Sequence, residues 1–110
     1  MTLKELAREE TVKSLHEDYD DRPVLGAFTS DLLSDVMAHA KDGDVLITIQ
    51  AHHNAVAVAS LAGVAAILVC GDRPVTDDML AGARRERLAV FTTALNQFEA
   101  SCLMGRLLNS

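Results

Sequence analysis

Gln50, His52, His53 and Asn54 stand where an apolar run, VLITI at 45–49, meets a second, nearly apolar stretch at 55–62. Two of the four histidines in the chain fall in this short segment. Side chains of these types can ligate a metal, act as bases, hold an anionic ligand, or simply open a helix. Adjacent histidines do not share a helix face, so at most one of the two points into a common site. Three further polar groups follow apolar runs in the same way: Thr29, Ser30 and Asp31; Gly71, Asp72 and Arg73; and Thr92 with Thr93. Ser, Thr, Asp and Asn open helices everywhere, whereas Gln50, His52, His53 and Arg73 are not preferred caps.

The chemistry these groups could support is narrowed by what is missing. Asp31, Asp35 and His39 fall at i, i+4 and i+8, a spacing that suits a metal but also suits an exposed polar helix face, which is the reading preferred here. No HExxH is present. No GxxxxGK[ST], GxGxxG or GxSxG occurs, so the phosphate-cradling lysine of a P-loop kinase or ATPase is lacking. Cys70 and Cys102 lie 32 positions apart without a CxxC, which excludes a zinc ribbon or a cysteine-ligated cluster built from this chain alone. Two buried thiols in a reducing compartment are the expectation. A nucleophile–base pair of Ser30 or Thr92 with a histidine is conceivable, but no spacing predicts it.

The elements that must position these residues alternate. Thr2, with Glu5 three residues on, forms a capping box for a short first helix. Residues 11–16 read as a short strand, and EDYDDRP as an acidic loop. Strands follow at 24–29, 45–49, 65–70 and 88–93. Between them lie a helix capped by Ser30 or Asp31 and running through Ala40, a buried helix at 53–62 ended by Gly63, and a helix from Asp77 to about Arg87 capped by Thr76. A closing helix runs from about Leu95 to Leu108, with Leu95, Phe98, Cys102 and Leu107 on one side. This order predicts an α/β fold: a single three-layer domain over 1–110, with a mostly parallel sheet and helices on both faces. The loops that leave the carboxyl ends of parallel strands share one edge, where ligands bind and where helix N-termini attract anions. All four polar groups belong to that edge.

Composition agrees with a folded domain. Hydrophobic residues make up 49% of the 110 and charged residues 24%. Ten basic against sixteen acidic side chains give −6, which argues against a nucleic-acid binder. The N-terminal MTLKELAREE has no apolar signal core, and the longest apolar stretch is too short for a membrane span. A soluble cytoplasmic protein is expected.

The segment DRPVLGAFTSDLLSDVMAHAKDGDVLITIQAHHNAVAVASLAGVAAILVCGDRPV resembles the DRTGG domain family. The resemblance covers roughly residues 2–108. SDLLSDVM, the GDVLITIQ segment with His52, Asn54 and the AVASL at 57–61, and the FTT at 91–93 with Phe98 and Glu99 carry most of it. In the name-giving motif Asp21, Arg22 and Gly26 fit, while Pro23, Leu25 and Ala27 depart. The resemblance implies a regulatory role: DRTGG domains accompany CBS domains in regulatory inserts of some pyrophosphatases, where the assembly binds adenine nucleotides. They also precede phosphate acetyltransferase domains and resemble the N-terminal domain of HPr kinase. Stand-alone versions are similar to small proteins encoded beside iron-only hydrogenases.

The expectation is therefore a non-catalytic, cofactor-free module that binds a small anion such as an adenine nucleotide. Gln50, His52, Asn54 and Arg73 are its candidate contacts, with Ser30, Asp31, Thr92 and Thr93 around the rim. The alternative is a homodimeric interaction module for a redox partner of hydrogenase type. Its interface would use the helices carrying Leu32, Val36 and Met37, or Met104 and Leu108. An enzyme with an undetected site ranks last.

Overall fold

The computed structural model describes residues 1–110. Ten elements follow in order: α1 Leu3–Leu6, β1 Lys13–Ser14, β2 Gly26–Thr29, α2 Leu33–His39, β3 Asp44–Thr48, α3 His53–Ala62, β4 Ala66–Val69, α4 Asp77–Glu86, β5 Ala89–Thr92 and α5 Gln97–Leu108. Three local signals act as read from the sequence. Thr2 and Glu5 close a capping box on α1, and Thr76 Oγ1 accepts the Met79 N–H at the start of α4. Gly63 ends α3 at φ 76°, a left-handed conformation that a side chain would strain.

The sheet has the order β1-β5-β4-β3-β2. Strands β2 to β5 are parallel and neighbour one another in sequence order, and β1 joins β5 antiparallel through two residues. The reading of 11–16 as a strand thus holds only for its centre. Three successive crossovers of one hand place their helices on one face. The packing shows it: Val36 of α2, Ala55, Val56 and Ala59 of α3, and Met79 and Ala83 of α4 share a core with Leu46, Ile67 and Val90. The other face of the same strands, Val45, Ile47, Leu68 and Phe91, packs against Leu3 and Leu6 of α1 and Ala100, Leu103 and Met104 of α5. α5 returns across the sheet and covers β2 and β3. The expected three layers are present, with strands buried on both faces, as their unbroken apolar runs require.

Several expectations need correction. Neither Ser30 nor Asp31 caps α2: its N-cap is Leu32, without a side-chain bond, because the Asp31 carboxylate turns away toward β3. Helix α3 is not buried all round; Leu61 and Ala57 face out. On α5 the buried stripe is Ala100, Leu103 and Met104, while Phe98 and Cys102 are exposed. Only Cys70 is a buried thiol. Val36 and Met104 are fully buried and cannot be interface residues, whereas Leu32 and Met37 are exposed. No helix is long and apolar enough to cross a membrane.

Candidate functional site

The carboxyl edge is organised around Asp31. Its Oδ1 accepts three hydrogen bonds: from the Thr48 hydroxyl at 2.9 Å, the Ile49 N–H at 2.9 Å and the Gln97 side-chain amide at 2.9 Å. Its backbone carbonyl accepts from the Gln50 side-chain amide at 2.8 Å. Thr48 in turn accepts the Gln50 N–H at 3.1 Å. One carboxylate oxygen thus ties together the β2–α2 loop, the end of β3 and the first turn of α5, leaving Oδ2 without an intramolecular partner. The same charge acts on Cys70 at the end of β4. Burial is the larger effect and Asp31 the second, and together they push that thiol up to about 11. A thiol held there is protonated and unreactive at neutral pH.

Four helices open on this edge, and they differ in how their N-termini are closed. α4 is capped by Thr76 and carries Asp77 and Asp78 in its first turn. α5 is capped by Asn96 and Glu99 in a capping box. α3 has no side-chain cap and no acidic residue in its first turn, and His52 stands at its N-cap. Its free N–H groups and dipole end are the part of this edge most suited to an anion.

The residues singled out in the sequence fall into three groups. Asp31 and Gln50 touch directly, and Ser30 lies beside them with its hydroxyl accepting the Leu32 N–H at 3.2 Å. His52 and Asn54 are exposed at the start of α3, a few residues beyond Gln50. Arg73 and Thr92 line a separate hollow of about 290 Å³ with Leu15, Val75 and Leu80. β5 lies three strands from β2, about 14 Å at the usual strand spacing. Thr93 is buried, and its hydroxyl accepts the Leu95 N–H at 3.2 Å. His53 turns to α4, with its Nδ1 3.4 Å from Asp78 Oδ2. It lines a small groove between the two helices, away from Asp31.

Asp35 and His39 pair with each other at 2.9 Å on the outside of α2, the exposed polar face preferred over a metal site. Sequence reasoning missed Thr48 and Gln97. Thr48 had a signal, being a polar side chain at the carboxyl end of a wholly buried strand. Gln97 had none, since its partner lies 66 residues away.

No protein-family model matches the chain, and no curated protein does. Among solved structures it is similar to the CBS and DRTGG domains of the regulatory region of Clostridium perfringens pyrophosphatase, complexed with the activator diadenosine tetraphosphate. The two superpose with a TM-score of 0.72 at 15% identity, over 94% of this chain and 45% of that one. The chain therefore spans about half the length of the structure it matches. The likeness is one of fold, and it supports a DRTGG-like architecture.

Proposed function

We propose that the chain is a non-catalytic regulatory module that binds an adenine nucleotide at the carboxyl edge of its sheet. The observation that carries this reading is the unclosed N-terminus of α3, on the same sheet edge as a carboxylate with a free oxygen. Phosphate would sit on the α3 amides between His52 and Asn54. Ribose hydroxyls or the adenine amino group would donate to Asp31 Oδ2. Gln50 and Ser30 shape the floor, and Arg73 with Thr92 receives the far end of a ligand long enough to span the edge. The diadenosine tetraphosphate in the structural neighbour supports the ligand class.

A thermal-shift series with AMP, ATP and diadenosine tetraphosphate tests it. Ligand at a hundredfold its dissociation constant stabilises by about 2.7 kcal/mol, several degrees for a domain of this size. The shift should disappear in His52→Ala/Asn54→Ala and weaken at least roughly tenfold in affinity in Arg73→Ala. No shift with any adenine nucleotide ends the proposal. The second reading, a homodimeric accessory module for a redox partner, is supported by the exposed Leu25, Leu32, Met37 and Leu61. Molar mass in solution tests its dimer.

A further inference from the structure

Helix α5 carries two apolar faces, and the sheet uses one. Ala100, Leu103 and Met104 pack inward, while Phe98 is 75% exposed. Phe98 is one of only three phenylalanines in a chain without tryptophan. A groove of about 420 Å³ runs along this outer side, between α5 and residues 9–11. Leu95, Phe98 and Leu103 supply its apolar lining, with Cys102 one turn beyond Phe98. Its rim is acidic: Glu9, Glu10 and Glu99 stand against Arg106 alone, and neither Glu9 nor Glu10 has a salt-bridge partner. From Phe98 to Arg106 the helix rises about 12 Å, two turns of a partner helix.

We propose that this groove docks a basic amphipathic helix of a partner protein. An exposed aromatic over an apolar floor is the usual anchor of such a contact, and a helix laid in a groove presents its apolar side chains at i and i+4. Unpaired carboxylates on the rim select for lysine or arginine on the flanks of that helix and steer its approach. They also disfavour a second copy of the chain, since each copy carries a net charge of −6 and the same acidic rim.

The test is a titration of the ¹⁵N-labelled protein with a short helical peptide that has leucine on one face and lysine on the other. A second peptide keeps the lysines and replaces each leucine by serine. The leucine peptide should shift resonances of 9–11 and α5, and Phe98→Ser should weaken it by roughly tenfold or more. Glu9→Lys/Glu10→Lys should do the same. The Phe98 ring and the carboxylates of Glu9 and Glu10 make no hydrogen bond or ion pair in the fold, so circular dichroism should show each variant folded. Equal binding of the serine peptide, unchanged affinity in Phe98→Ser, or shifts spread over the whole acidic surface would overturn the proposal. So would a dimer in solution that Phe98→Ser dissociates, because the groove would then belong to a second copy.

Discussion

Replacing Asp31 by alanine is the sharpest perturbation of this fold. Three donors lose their acceptor at once: the Thr48 hydroxyl, the Ile49 N–H and the Gln97 amide. Thr48 is fully buried, so its hydroxyl regains water only if β3 opens. Ile49 and Gln97 are half-buried and recover part of their loss by hydration. Bonds to a charged acceptor contribute about 1.5–3 kcal/mol each, so taking one such bond in full and the other two heavily discounted gives about 2–4 kcal/mol. That is a large share of a stability of about 5–15 kcal/mol and lowers Tm by roughly 10–25 °C. Asp31→Asn keeps the oxygen and loses only the charge assistance, about 1 kcal/mol. Urea unfolding of the three proteins without ligand, with the m-value checked for constancy, measures both differences. Gln97→Ala in the Asp31→Ala background should cost much less than Gln97→Ala alone. An Asp31→Ala protein within about 0.5 kcal/mol of the parent, the range of an ordinary surface change, would refute the account of this carboxylate as the tie between β2, β3 and α5.

Four other outcomes follow from the geometry. A thiol reagent should titrate one cysteine, Cys102, in the native protein and two after denaturation, since Cys70 is buried with its thiol raised to about 11. Gly63→Ala and Gly71→Ala should each cost about 1–2 kcal/mol in urea unfolding: both sit at positive φ, and the Asp42 Oδ1 that a Cβ at Gly63 would meet at 2.6 Å belongs to an exposed carboxylate that can swing aside. Tyr19→Phe should leave Tm unchanged or raise it, because the Tyr19 hydroxyl is buried without a partner. The Arg87 guanidinium bonds to Asp20 and holds its carboxyl below the ordinary range. A depressed folded value stabilises above the unfolded value of about 3.9 and is lost as pH falls through the folded one, so Asp20→Asn should flatten the acid limb of a Tm-against-pH curve below pH of about 4.

The elements and their order were legible in the sequence because their signals are local. A cap such as Thr76, a stop such as Gly63 and a capping box such as Thr2 with Glu5 act within one helical turn, and a β-branched run such as VLITI declares its own burial. The parallel crossovers then put Ser30, Gln50, Arg73 and Thr92 at one edge. Tertiary structure alone decided how that edge divides. Asp31 reads in the sequence as a helix cap or as one face of α2. It became the centre of the edge because a path of 66 residues returned Gln97 over β2 and β3. His53 found Asp78 on a neighbouring helix instead of the common site. α5 shows the same limit: its periodicity marks Phe98 and Cys102 as apolar no less than Leu103 and Met104, and only contact with the sheet chose between them. Local pattern fixes which residues can pair or bury; which of several equivalent partners they take depends on distances between segments far apart in the chain, and those exist only once it is folded.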